Sequence, residues 1–390
     1  MNRSVKRVVD VAIIGAGLAG SCMAHAMARR GWKTLLIERH AGLRHKACGE
    51  FLSPESREAL SRLGLASTVE SLHPAEMDAV RLVAANGVFL RVPLPGTAMG
   101  ISRYVLDGAV RNAAIRQGAS VLTGTAAVSV SMEGKGYRVE LRTGHGVTSV
   151  AAKAVIGAWG RAAAHRLTGK KRDAEQAFVG IKAHFGGVRP VGEVELYFFR
   201  GGYLGIAPVE AERYNVAALV AENSFARAGR TARGVFEMAA RENVALGERL
   251  RGAVFIPGTE AAAAPVLISR EPVAWGKVPH VGDAAVVVPP LCGDGMATAI
   301  FSAELCAFLA DRYLQGEMTL EQWRRLYAQS LRKLCAGPMR WGNAVHSWTG
   351  NMRLLPMLLR AGKFAPSLAR RLLTVTRAKD VIRKTVRGCE

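Results

Sequence analysis

Hydrophobic positions open the chain as an almost unbroken run: Val8, Val9, Val11, Ala12, Ile13 and Ile14, with only Asp10 among them. A short apolar run that ends in glycine predicts a buried strand of a parallel sheet. The Ala-rich stretch after it, to about Arg30, predicts a helix, and residues 33–37 predict a second strand. Further helices are expected at about 54–64 and 104–117. Residues 79–92 alternate apolar and polar side chains around Asn86-Gly87, which signals a hairpin. Three strands follow within 121–158, with turns near Gly134-Lys135-Gly136 and Gly144-His145-Gly146, and four more at 178–185, 193–199, 203–209 and 215–220. A helical region near 230–250, a short strand at 278–281, a loop and a long helix at about 295–315 complete the pattern, and the remainder is helical. The class is α/β, with an antiparallel sheet layer inserted into a Rossmann-type chain and a helical C-terminus.

The junction between the first strand and helix reads Gly15-Ala16-Gly17-Leu18-Ala19-Gly20. Gly15 makes the tight turn, Gly17 lets backbone approach a pyrophosphate, and Gly20 lets helix and strand pack closely. The helix N-terminus offers unpaired N–H groups and partial positive charge to phosphates. Glu38, at the end of the second strand, is placed to accept the hydroxyls of an adenosine ribose. Strand, glycines, helix and acid together predict dinucleotide binding. The glycine pattern occurs once, so a second nucleotide domain is not supported and any nicotinamide donor docks elsewhere.

Composition narrows the classes. The 390 residues are 49% hydrophobic and 22% charged, which excludes a largely disordered chain and allows two or three domains. The formal charge of +22 favours anionic partners, and its location is uneven. Residues 319–390 carry 15 Lys/Arg against Glu321, Asp380 and Glu390, hence +12. The six cysteines lie far apart with no CxxC pair, which argues against a zinc site or a disulfide framework. The run at 8–14 is too short for a signal peptide, and no uncharged 18-residue apolar window occurs, so a cytoplasmic protein is expected.

A family becomes visible further along. Gly282-Asp283-Ala284-Ala285, then Pro289-Pro290-Leu291-Cys292-Gly293-Asp294-Gly295-Met296, resembles the second FAD fingerprint of glutathione-reductase-type flavoproteins. It looks most like the branch that holds geranylgeranyl reductases, related dehydrogenases and single-component aromatic hydroxylases. Three more segments match in order: Lys46-x-Cys48-Gly49-Glu50, then Gly100-Ile101-Ser102-Arg103 with Leu106-Asp107, and residues 154–161. The resemblance covers about 8–315. It implies FAD, held by Gly15, Gly17, Gly20, Glu38, Arg39, Lys46, Cys48, Arg103, Asp283, Gly293, Gly295 and Met296, with NAD(P)H as a transient electron donor. It implies a discontinuous FAD-binding domain (1–75, 95–175, 265–318), a substrate-binding sheet domain (76–94, 176–264) and a basic helical C-terminal region (319–390).

Departures from the family pattern carry information. Trp159 stands where the hydroxylases usually have Asp, which puts hydroxylase-style nicotinamide control in doubt. The W-x-W-x-I-P motif of flavin halogenases is missing. Gly202-Tyr203-Leu204-Gly205-Ile206-Ala207-Pro208 keeps the tyrosine and proline of the reductases' Tyr-x-Trp-x-Phe-Pro segment with smaller residues between, which implies a pocket of altered shape. The expected function is hydroxylation of a hydrophobic phenolic or polyketide-derived substrate. Reduction of a double bond in an isoprenoid-like lipid is the alternative, and a non-enzymatic, tRNA-binding flavoprotein is the rival of another class.

Catalytic candidates are few, because the flavin carries the hard chemistry. Lys182 and His184 lie two apart on a strand and share a face, where they could line a substrate cavity or simply form a solvated or satisfied core face. His184 and Tyr203 are the candidates. Cys48 and Cys292 read equally as small buried hydrophobes. In the tail, leucines at 354–373 mix with Arg360, Lys363, Arg370 and Arg371, the pattern of a basic amphipathic helix at an anionic membrane surface or of leucines packed on the flavin domain. Nucleic acid is disfavoured by 6% aromatics and the lack of an RNA module.

Overall fold

A computed structural model describes residues 7–144, 146–161, 177–349 and 354–375. Cys389, the basic residues beyond 375 and the segment 162–176 lie outside the described residues. The strands run as β1 (Arg7–Ile14), β2 (Thr34–Ile37), β3 (Phe51–Leu52), β4 (Ala75–Val83), β5 (Phe89–Gly100), β6 (Ser120–Leu122) and β7 (Ala126–Glu133). They continue as β8 (Gly136–Thr143), β9 (Gly146–Gly157), β10 (Ala177–Gly186), β11 (Glu193–Phe199), β12 (Gly202–Pro208), β13 (Tyr214–Ala221) and β14 (Val254–Leu267). The helices are α1 (Leu18–Arg29), α2 (Ser56–Leu63), α3 (Ala66–Glu70), α4 (Arg103–Arg116), α5 (Glu222–Arg227) and α6 (Ala232–Glu242), then α7 (Val244–Arg249), α8 (Gly295–Leu314), α9 (Leu320–Thr349), α10 (Leu354–Phe364) and α11 (Pro366–Val375).

Six strands form the first sheet in the order β6-β2-β1-β9-β8-β7. The β6, β2, β1 and β9 strands run parallel, and β8 and β7 turn back antiparallel. Every residue of α1 from Leu18 to Ala28 is buried. Such a helix has neighbours all round, and here they are the sheet, α4 and α8. The first turns of α9 join the same core through Trp323 and Tyr327, whose hydroxyl donates to the His280 carbonyl at 2.6 Å.

The second sheet has eight strands in the order β14-β10-β13-β12-β11-β4-β5-β3. All pairs are antiparallel except β11 with β4. Along β10, Val179, Ile181, Ala183 and Phe185 face a core shared with α6 and α7. Period-two alternation therefore turns Gly180, Lys182 and His184 to the opposite face, where an added Gly180 side chain would meet Ala47. The C-terminal helices α10 and α11 dock on β5. Among the described residues, no helix is long and apolar enough to cross a membrane.

Two expectations need correction. Residues 278–281 form no strand; the parallel bridge between Gly157 and His280 is isolated. The 14-residue strand β14 departs from the expected pattern, because its alanine-rich centre, Ala261-Ala262-Ala263-Ala264, lacks the β-branched side chains that signal a strand. Pairing with β10 overrides that weak local preference.

Candidate functional site

The parallel strands β1, β2 and β9 end together at the N-terminus of α1. Gly15 has φ +109°, and a side chain there would strike the Ala158 carbonyl. At Gly20 an added Cβ would lie 1.9 Å from the Gly15 carbonyl oxygen, so the helix can pack on the loop only without one. Gly17 begins α1 with no side-chain cap and no acid in the first turn, which leaves helix N–H groups for a ligand. Glu38 follows β2; its carboxylate accepts from the Ala16 amide at 2.9 Å and the His40 amide at 3.0 Å. Arg39 beside it is exposed, its Nε 3.0 Å from His40 Nε2.

Two cations overhang this loop: an added Gly17 Cβ would meet Lys46 Nζ at 3.5 Å and Arg103 Nη2 at 4.0 Å. Ser102 caps α4 by accepting from the Val105 amide, and Glu210, in the turn between β12 and β13, holds Ser102 through both its amide and its hydroxyl. Arg103 is thereby fixed as the first residue of α4 and makes a bidentate pair with buried Asp107 at 2.9 and 3.0 Å; Lys46 also donates to Asp107. Burial works against both charges of the Arg103–Asp107 pair. Arg103 and Lys46 nevertheless hold the Asp107 carboxyl below the usual range, and Asp107 pushes the Arg103 guanidinium up. One carboxylate between two cations leaves a surplus positive charge beside the uncapped helix.

The second fingerprint arrives from the other side. Gly282 has φ +60°, and its Cβ would press Ala19 of α1 at 2.9 Å, which sets Asp283 near the first turn of that helix. Arg161 Nε lies 3.4 Å from Asp283. Gly293, at φ +71°, packs against Phe51, and Gly295 and buried Met296 begin α8. Asp294 precedes that helix without a side-chain cap, so α8 also points bare N–H groups out of its N-terminus. Trp159 folds its indole over Gly157, edge-on to His280 at 5.1 Å, with Nε1 buried and unpartnered among the described residues.

Between the sheets lies a polar cluster. Glu50, at φ 54°, is fully buried. Its carboxylate accepts from Lys182 Nζ at 3.1 Å, from His184 Nε2 at 2.6 Å and from the Arg103 amide at 3.0 Å. Lys182 Nζ also lies 3.2 Å from His45 Nδ1, and His45 stacks on exposed Tyr104. Lys182 Nζ lies 2.9 Å from His184 Nε2 as well, so that ring nitrogen faces both the ammonium and the carboxylate; Nδ1 is buried with no partner among the described residues. Burial would raise the Glu50 carboxyl, but His184 and Lys182 hold it below its ordinary value. Burial draws Lys182 down against the opposing charge of Glu50. Asn215 of β13 donates to the Cys48 carbonyl at 2.9 Å, and the Glu50 amide contacts the Cys48 sulfur at 3.4 Å. Burial pushes the Cys48 thiol up, with Arg103 opposing.

Tyr203 lies elsewhere on the second sheet. It packs with Phe198, Leu219, Val266, Leu355 and Leu359, and Leu291 of the glycine loop reaches the same cluster. Burial pushes its phenol well up. The two proposed catalytic side chains therefore occupy different surroundings, His184 a polar cluster and Tyr203 an apolar one.

Residues 8–320 match the FAD binding domain family. The chain belongs to that family. It is 27% identical over 319 residues to the menaquinone reductase of Mycolicibacterium smegmatis, covering 77% of this chain and 76% of that one. It is 29% identical over 346 residues to the 2-heptyl-3-hydroxy-4(1H)-quinolone synthase of Mycobacteroides abscessus, covering 82% and 86%. A geranylgeranyl bacteriochlorophyll reductase-like structure from Thermoplasma acidophilum shares the fold, with a TM-score of 0.74 at 18% identity over 98% and 96% of the chains. The chain is accordingly an FAD-dependent oxidoreductase, and the expected fold class holds. Its site fits the cofactor: two uncapped helix N-termini, a glycine loop that a Cβ would fill, and the paired cations.

Lys46 and Arg103 reach Gly17, and Gly282 brings Asp283 to the first turn of α1, whereas Gly293 lies against Phe51, Gly295 begins α8, and Cys48 sits beside Glu50 and Asn215. Glu50 and Asp107 were quoted in motifs yet not singled out; an acid that recurs inside a cation-bearing motif is the signal that finds them. Lys182 and His184 are legible together, as two polar residues on one face of the apolar strand Ala177–Gly186.

Proposed function

We propose that this FAD-dependent oxidoreductase hydroxylates a hydrophobic, ring-bearing substrate, phenolic or polyketide-derived, with NAD(P)H as transient electron donor. The observation that carries the substrate class is the apolar face of the second sheet at Tyr203, which meets Leu291 of the glycine loop on one side and α10 on the other. Bound FAD would supply the two-electron chemistry. The chain's residues would do the rest: Gly15, Gly17, Gly20 and the α1 N-terminus hold phosphates, Lys46 and Arg103 balance their charge, and Glu38 takes the ribose. The α8 N-terminus would face negative charge that gathers on the reduced ring. Tyr203, kept protonated by burial, can orient a substrate oxygen as a donor. The likeness to a quinolone synthase over most of both chains supports ring hydroxylation.

A second reading, reduction of a double bond in an isoprenoid-like lipid, draws support from the menaquinone reductase relative and from Tyr203 and Pro208, which keep the reductases' pattern. Purified protein reconstituted with FAD should show a flavin absorption band and be reduced anaerobically by NADH or NADPH. With phenolic lipids, oxygen uptake stoichiometric with hydroxylated product supports the first reading. Anaerobic saturation of an alkene with no oxygen-dependent product would replace it with the second. Failure to retain FAD would overturn both.

A further inference from the structure

The helix pair α10 and α11 has two unlike faces. On α10, Leu355 and Leu359 are buried against the second sheet, and Gly362 lies so close that an added Cβ would come within 2.6 Å of Leu90. These three positions share one side of a 3.6-residue helix. On the opposite side Met357 and Phe364 face outward, 64% and 91% exposed, and Leu354, Leu358 and, on α11, Leu368 are also exposed. Arg360 and Lys363 flank this outer stripe, Lys363 with its ammonium 4.4 Å over the ring of Phe89, Arg370 and Arg371 continue it on α11, and all four are exposed. Residues 354–375 contain no Asp or Glu.

Large apolar side chains held outward on an ordered helix lose free energy to water unless something covers them. A solvated basic face would need none of them. Phosphates of a nucleic acid would match the cations but leave Met357 and Phe364 without a role. An anionic lipid surface satisfies both sets, since cations meet headgroups while the apolar stripe enters the boundary with the acyl chains. We propose that α10 and α11 dock this protein on the surface of an anionic membrane, lying in the interface without crossing it. The buried side of α10 is at the same time a wall of the apolar cluster around Tyr203, so one helix separates that cluster from the bound lipid.

The docking is independent of which reaction the flavin performs, and its test needs no substrate. Full-length, FAD-loaded protein is sedimented with vesicles of phosphatidylcholine alone or with about a third phosphatidylglycerol, at moderate salt. Strong binding to the anionic vesicles and weak binding to the neutral ones is expected. Arg360→Gln, Lys363→Gln, Arg370→Gln and Arg371→Gln together should weaken binding by roughly fivefold per cation, on the order of several hundredfold. Met357→Ser with Phe364→Ser, at unchanged charge, should weaken it by roughly tenfold or more. Flavin absorbance should match the parent in both variants, and so should melting temperature, to within the small loss of the Lys363 contact with the Phe89 ring in the glutamine variant, because every substituted side chain is exposed. No binding of the parent to anionic vesicles would overturn the proposal. So would binding unaffected by the two serines, and displacement of the protein by RNA in that case would identify a general polyanion surface instead.

Discussion

Replacing Glu50 with glutamine removes the single negative charge from a cluster in which Glu50, Lys182 and His184 are all fully buried. The amide keeps an oxygen for Lys182 but no countercharge, and the ammonium stays desolvated. Breaking a buried pair in this way costs about 3–5 kcal/mol. A melting entropy of about 2.1 cal/mol/K per residue, taken over 390 residues, turns that into a fall in Tm of about 4–6 °C if the chain melts cooperatively. Lys182→Met should cost less, because Glu50 then keeps the His184 and Arg103 donors at 2.6 and 3.0 Å. The double variant should sit above Glu50→Gln alone, with a coupling of about 1–3 kcal/mol. The pH dependence has a definite sign. Glu50 titrates below its ordinary 4.5 in the folded chain, so its stabilisation is full above that value and disappears as acid takes the pH through the folded pKa. Lys182 titrates below its ordinary 10.5, so its burial costs stability that returns as pH rises toward that value. Without Glu50 that cost is larger. The deficit of Glu50→Gln should therefore be widest near neutrality and narrow at both extremes, as read by melting curves across pH. A variant that melts within about 1 °C of the parent at neutral pH, with no change toward either extreme, would refute electrostatic coupling in the cluster.

Gly20→Ala should abolish FAD retention, because its Cβ would collide with the Gly15 carbonyl oxygen at 1.9 Å, whereas Gly42→Ala, with nothing within 4 Å, should retain the flavin band on gel filtration. Arg103→Ala should weaken FAD binding roughly tenfold to a hundredfold in a fluorescence titration, the range of one charged hydrogen-bond donor, and an unchanged affinity would remove Arg103 from the phosphate site. Tyr203→Phe should leave the shape of the rate–pH profile unchanged up to about pH 10, since burial keeps the phenol protonated throughout; loss of an alkaline limb in the variant would contradict this.

Much of the cofactor half was legible because its residues serve local geometry. A strand, a tight turn at positive φ and a helix that must touch the turn leave glycine at fixed spacings, and Gly15, Gly17 and Gly20 carry that requirement whatever surrounds them. The hairpin of β4 and β5 was legible for the same reason, through Asn86-Gly87. The polar cluster was not. Glu50 and Lys182 are 132 positions apart and meet only because β10 lies against the segment before β3. Two residues on one strand face can be read from spacing, but their partner comes from another part of the chain. Lys182 in an apolar strand gives no hint by itself that a carboxylate waits for it. The β14 strand was hidden by alanines whose pairing is decided by β10 and not by their own propensity.

Two imidazoles and a carboxylate converging on one point form the donor set of a divalent metal centre, and the ligand-type atoms of His45, Glu50 and His184 lie within 4.8 Å of one another. At that point the chain puts the tip of Lys182. The lysine acts as a tethered ion: it neutralises the carboxylate, orients both rings and stays in place whatever the supply of metal or chelator. The same geometry makes the cluster a site for engineering. Lys182→Ala would vacate the centre while leaving three donors aimed at it, and such a variant should take up zinc or cobalt with a rise in melting temperature that the parent does not show.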